Sequence, residues 1–373
     1  MEETGIQINW KSRLEYAGLT DIYNKIIGGM RLDNSDGINL FKCDDLTSVG
    51  YLANIIRERK NGNTAWFIRN QHINHTNICR NQCRFCAFYR RKDQDGAYQM
   101  TLDEIFEAVK AELNKPITEI HIVGGLNPDL KLDFYLEMLR GIKEIRPDIH
   151  IQAFTCVEIA WLAEASGMTL VGVLQALKDA GLGSIPGGGA EVFSERLRRE
   201  YWSRKLSADE WLNVAGEAHK LGIPTNATIL YGHKETIEER VNHLIRLREQ
   251  QDKTGGFKAF IPLAFHSENT ELADISPTHG SDDLKMLSVS RLMLDNFDHI
   301  KAFWVMLTPQ LAALALAYGA DDIDGTVTDE KITHMAGAKT PSSLTVDELI
   351  ALIKIAGRNP VERDTVYNIV RGY

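Results

Sequence analysis

Long apolar runs are missing from this sequence. No stretch approaches the roughly 20 consecutive apolar residues that cross a bilayer, and the greasiest segment, Val305 to Ala320, is broken by Pro309 and Gln310. Residues 1–10 include Glu2 and Glu3 and show no apolar core of a secretory leader, so a cytoplasmic protein without membrane insertion is expected. An excess of positive charge is also missing. Lys and Arg number 42 against 51 Asp and Glu, a net charge of −9, which argues against a general binder of nucleic acid or anionic membrane. It leaves open anionic small molecules, for which a few cations in a pocket suffice. Cysteine is scarce and odd in number, five in 373 residues, so a disulfide framework is not expected. Low-complexity tracts, internal repeats and long linkers do not occur. What remains is an ordinary globular composition, 44% hydrophobic and 25% charged, in a chain long enough to bury a large core.

That core is organised by alternation. Residues 1–60 read as helical, with apolar residues at helical spacing over Leu14 to Met30 and Asp45 to Arg57. From Thr64 onward, β-type runs alternate with helical ones. Thr64–Ile68, Glu119–Val123, His150–Phe154, Gly183–Pro186, Pro224–Tyr231, Lys258–Leu263, Ile300–Met306 and Asp321–Asp324 read as strands. Between them lie helical segments such as Thr101–Leu113, opened by a Thr101/Glu104 capping box. About eight such units predict an α/β fold, a (β/α)8 TIM-type barrel with helical extensions at both ends, over an open doubly wound sheet. The expected division is a helical extension over 1–60, the barrel over 61–335, and a C-terminal helix and tail over 336–373 packed on it.

Three of the five cysteines, Cys79, Cys83 and Cys86, fall within eight residues at C-x3-C-x2-C spacing. They follow the first predicted strand, so they lie in a βα loop, on the face where barrels place their chemistry. Clusters of iron and sulfide use cysteine thiolates, normally four for [4Fe–4S]. Three close cysteines leave one iron open to a further ligand. The alternative is a zinc site completed by His72, His75 or His121, although the second cysteine pair usual for zinc is missing. An iron–sulfur electron carrier or zinc-stabilised binding protein is the corresponding non-enzyme reading.

With Phe85 before its third cysteine, this loop is the signature of the radical S-adenosylmethionine (SAM) superfamily, which the sequence resembles. The resemblance runs from about residue 64 to 368. It is narrower in HIVGGLNP (121–128), SIPGGGAEVF (184–193), TNATILYGH (225–233), LAFHSENT (263–270), FWVML (303–307) and DDIDGTV with HMAG (321–327, 334–337), which are similar to the aminofutalosine synthases of the futalosine route to menaquinone. The neighbouring alternatives are dehypoxanthine futalosine cyclase and deazaflavin (F0) synthase. His75, Cys156 and Thr333 stand where that family often has proline, alanine and tyrosine.

The resemblance implies a [4Fe–4S] cluster on Cys79, Cys83 and Cys86. It implies SAM consumed as cosubstrate, its adenosyl radical adding to 3-[(1-carboxyvinyl)oxy]benzoate with rearrangement and decarboxylation, and a reducing partner such as flavodoxin. It places the SAM amino group at the Gly124-Gly125 turn. Glu191, after the Gly187–Gly189 run, is the candidate carboxylate for SAM, with Thr155 and Asn226 as hydrogen-bonding candidates. His233 and His266 follow predicted strands and are the candidate acid–base residues. Arg291 is a candidate clamp for a substrate carboxylate, and Tyr89 and Trp304 are candidate contacts for aromatic groups. Each of these also has an ordinary packing role open to it.

Overall fold

The computed structural model describes residues 9–373; the leader-free reading of the first ten residues falls mostly outside them. Among the described residues no single helix is long and apolar enough to cross a membrane. The strands are β1 (Thr64–Ile68), β2 (Asn70–Ile73), β3 (Glu119–Ile122), β4 (His150–Ala153), β5 (Thr225–Tyr231), β6 (Phe257–Ala264), β7 (His299–Ile300), β8 (Asp322–Gly325), β9 (Asn359–Arg363) and β10 (Ile369–Gly372). β2, β3 and β4 pair in parallel, in register Asn70↔Glu119↔His150. Single bridges Gln152↔Ser184 and Ile185↔Thr225 carry the sheet on to β5. β5, β6 and β7 are parallel. Lys301↔Asp322 links β7 to β8, and β8 closes on β1. Since β1 and β2 are halves of one strand interrupted at Arg69, the ring is a (β/α)8 barrel, as the alternation predicts.

The fourth strand is a bridge of two residues, shorter than expected, because Gly187 crosses directly over the backbone of Ala227. A Cβ there would lie 2.7 Å from Ala227 main-chain atoms. The seventh strand also stops early. After Ile300 the chain turns into a short helix, Trp304–Leu307, whose indole at Trp304 donates to the Gly325 carbonyl at 2.8 Å. The expected N-terminal helix is two, Trp10–Tyr16 and Thr20–Ile27, separated where Gly18 takes φ +68°. Periodicity alone passes over the Cys156–Ser166 helix, which Thr155 and Glu158 cap reciprocally.

The C-terminal segment is a helix, Val346–Ile355, followed by a β-hairpin. β9 adds in parallel to β1 and β10 runs back antiparallel to it. This hairpin seals the N-terminal end of the barrel. Arg363 of β9, 2% exposed, donates to Asp322 at 2.6 Å, and the Tyr367 hydroxyl donates to the same carboxylate at 2.8 Å. With its N-terminal end closed, the barrel opens at the C-terminal ends of its strands.

Candidate functional site

A cavity of about 320 Å³ occupies that open end and runs down inside the barrel. The β2–β3 connection forms one side of it and brings Cys79, Cys83 and Cys86 to the wall. All three are free thiols. The loop is held by its backbone: Cys79 N–H donates to Arg90 O at 3.1 Å, Arg80 N–H to Leu126 O at 3.0 Å, and Cys86 N–H to Cys83 O at 3.0 Å. Gln82 takes a positive φ of 49° to make the turn between the first two cysteines. Burial pushes the Cys83 and Cys86 thiols up, against the opposing pull of the Lys205 ammonium and of main-chain N–H groups at Tyr89 and Phe88 aimed at Cys86. Buried sulfurs of this kind become thiolates when a metal neutralises them. The donor set therefore fits an iron–sulfur cluster. No three His, Cys, Asp or Glu side chains among the described residues converge as a single metal ion requires. His75 is buried against Tyr135 and Phe154 and does not line the cavity.

The turn after β3 packs directly on this loop. A Cβ on Gly125 would strike the main chain of Ile78, and one on Gly124 the His75 ring. Glycine is thus required there for loop packing as well as for any ligand. Facing the turn is Glu158, which no motif in the sequence singles out. It is 4% exposed, lines the cavity, and accepts from Gly124 N–H at 3.1 Å and Thr155 N–H at 2.7 Å. Burial pushes its carboxyl up to about 7 despite these two donors. Thr155, Glu191 and Asn226 line the same cavity. Glu191 is ion-paired to Lys205, which also stands 5.2 Å over the Phe85 ring. Burial alone would pull the Lys205 ammonium down, but Glu191 and the cysteines hold it above its ordinary value. Lys205 lies in a loop with no pattern of its own, and only the fold reveals it.

Tyr89 lines the cavity as well, and burial pushes its phenol up. Four sequence candidates are not brought there. Arg291 is fully buried at the opposite end of the barrel, where it pairs with Asp321 and donates to the carbonyls of Gly319 and Asp298 at 2.8 and 3.0 Å. Its position inside a core helix commits all three guanidinium nitrogens to the fold, so it is no carboxylate clamp. Trp304 is 0% exposed and spent on Gly325. His233 is fixed between the Leu230 carbonyl at 3.0 Å and Glu235 at 3.2 Å. The His266 ring contacts the Met306 carbonyl at 3.0 Å, outside the cavity lining. The barrel-strand side chains that line the cavity include His72, Glu119, His121, Gln152, Lys301 and Asp324.

Residues 73–247 match the radical SAM superfamily and residues 254–371 match the CofH/MqnC C-terminal region. The aminodeoxyfutalosine synthase of Thermus thermophilus is 46% identical over 95% of this chain and 96% of its own. The 5-amino-6-(D-ribitylamino)uracil–L-tyrosine 4-hydroxyphenyl transferase of Archaeoglobus fulgidus is 43% identical over 88% of this chain and 96% of its own. Among solved structures, methylornithine synthase superposes with a TM-score of 0.73 at 20% identity, covering 91% of this chain and 97% of that one.

Proposed function

This chain belongs to the radical SAM superfamily, to its branch with a CofH/MqnC C-terminal region, and from that premise we propose that it is an aminodeoxyfutalosine synthase. It joins the adenosyl group of SAM to 3-[(1-carboxyvinyl)oxy]benzoate, with rearrangement and decarboxylation, and releases methionine. The observation that carries this reading is the 46% identity over 95% of the chain to the Thermus thermophilus synthase; it is supported by one cavity lined by Cys79, Cys83 and Cys86 together with Thr155, Glu191 and Asn226.

Cys79, Cys83 and Cys86 would hold a [4Fe–4S] cluster, which when bound supplies the electron that cleaves SAM. The rest falls to the protein. The Gly124-Gly125 turn, with Thr155, Glu191 and Asn226, receives SAM. Glu158 is a buried carboxylate at that turn with no cation bonded to it. SAM carries an ammonium and a sulfonium, so Glu158 is suited to receive the ammonium and orient the cosubstrate. Lys205, held by Glu191, places positive charge beside the cysteines and the SAM carboxylate. Tyr89, Phe303, Met306 and Leu263 give apolar surface for an aromatic ring. The closed barrel floor shields a radical from water. An external one-electron reductant of the flavodoxin type completes the system.

The 4-hydroxyphenyl transferase is the second reading, on its 43% identity. The two are separated by supplying the anaerobically reconstituted protein, SAM and a reductant with either 3-[(1-carboxyvinyl)oxy]benzoate or tyrosine plus the ribitylaminouracil. Aminodeoxyfutalosine from the first mixture alone is the expected result; coupling of tyrosine in the second would replace the proposal.

A further inference from the structure

The cavity wall holds two cationic side chains, Lys205 and Lys301. Lys205 belongs to the cysteine end and is closed by Glu191. Lys301 follows β7, on the arc of the barrel away from the SAM-side turn, and its side chain is 8% exposed. Its ion-pair partner among the described residues is Asp324, with Nζ–Oδ2 at 3.4 Å. That is longer than the ~2.7–2.9 Å of a charge-assisted hydrogen bond, so a buried ammonium keeps donors unspent. Beside it the His72 ring, 8% exposed, stacks on His121 at 4.5 Å between centroids, and His72 Nε2 has no hydrogen-bond partner. His121 Nδ1 is occupied by Gln152 Oε1 at 3.2 Å. A buried polar atom and an undersaturated ammonium on one stretch of wall describe a polar subsite that expects a ligand. Ile261, Leu263, Phe303 and Met306 line the same cavity with apolar surface.

We propose that Lys301, assisted by His72, binds the ring carboxylate of the aromatic substrate and so selects a benzoate. This deepens the reading above and rests on it. Seated this way, the ring lies along the apolar side chains and the vinyl carbon faces the SAM side. Two carboxyl groups also face this subsite. Glu119 is engaged by Asn70 Nδ2 at 3.3 Å. Burial pushes the Asp324 carboxyl up, against the opposing pull of the Lys301 ammonium.

The test is binding, measured by equilibrium dialysis on the cluster-loaded protein with SAM and without reductant. The probes are 3-[(1-carboxyvinyl)oxy]benzoate and its analogue with an unsubstituted phenyl ring. The wild type is expected to prefer the benzoate by about 30-fold, as a buried charged hydrogen bond warrants. Lys301→Met is expected to reduce that preference to about threefold or less by losing affinity for the benzoate alone, and Lys301→Arg to keep part of it. Unchanged SAM affinity in both variants shows that the barrel is intact. Full preference retained in Lys301→Met would overturn the inference while leaving the enzyme assignment standing. A wild type that binds SAM but neither aromatic probe would overturn the assignment itself.

Discussion

Replacing Glu158 by Gln separates a SAM-orienting carboxylate from a mere helix cap. Glu158 is 4% exposed, and burial raises its carboxyl from the usual 4.5 to about 7. The group is consequently mostly protonated in the SAM-free protein at pH 6. A cationic ligand favours the ionised form, so SAM binding at pH 6 expels about 0.9 proton from the wild type. Gln has no proton to release, and the variant should bind SAM with proton release near zero and about 30-fold more weakly, the equivalent of about 2 kcal/mol. Calorimetric titration with SAM at pH 6, in two buffers of different ionisation heat, reads the proton count directly. The SAM-free protein offers a second readout. A carboxyl whose folded pKa lies above its unfolded value contributes stability present below about 4.5 and lost as pH rises through 7. Between pH 5 and 8 this amounts to about 2.5 kcal/mol in the wild type and is missing in Glu158→Gln. Equal proton release in the two proteins would refute the reasoning, because a residue that only caps its helix has no proton linked to SAM.

Cys83→Ser should lose the bulk of the iron and sulfide bound on reconstitution, and with it the visible cluster absorption, while far-ultraviolet circular dichroism stays that of a folded barrel. Arg291→Met should destabilise the protein by about 3–5 kcal/mol in denaturant titration, because it leaves the fully buried Asp321 without its cation; SAM affinity of the folded fraction should not change, which is the opposite of what a substrate clamp would show. His75, fully buried and held at about 4 by burial alone, resists protonation in the folded state. Its depressed pKa costs stability as pH falls from 6.5 toward 4, so His75→Phe should flatten the acid limb of the stability curve by up to about 3 kcal/mol.

Much of the barrel is legible in the sequence because parallel strands buried on both faces read as short apolar runs between amphipathic helices. Leu132–Ile145 and Thr225–Tyr231 are of this kind. Ser184-Ile185 and His299–Ile300 are strands reduced to a bridge or a pair, which periodicity overextends. The β9–β10 hairpin gains its stability from pairing with β1 at long range, so a helix-and-tail reading had no local signal to correct it. In the site, the three cysteines are legible because spacing alone places them in one loop. Glu158 and Lys205 are not, since their meaning depends on burial and on partners distant in the chain. Arg291 shows the converse: a chemically apt residue type is drawn into the core by an ion pair with Asp321, and only the fold shows which end of the barrel it serves.

The central claim is that SAM is consumed as a cosubstrate, its adenosyl group ending in the product. The most direct measurement supplies SAM labelled with carbon-13 in the adenosyl group to the anaerobically reconstituted protein, together with 3-[(1-carboxyvinyl)oxy]benzoate and a reductant, and follows the label by mass spectrometry. The account predicts one labelled aminodeoxyfutalosine for each methionine released. Label recovered only as 5′-deoxyadenosine, or SAM left intact by a protein with a full cluster, would contradict it.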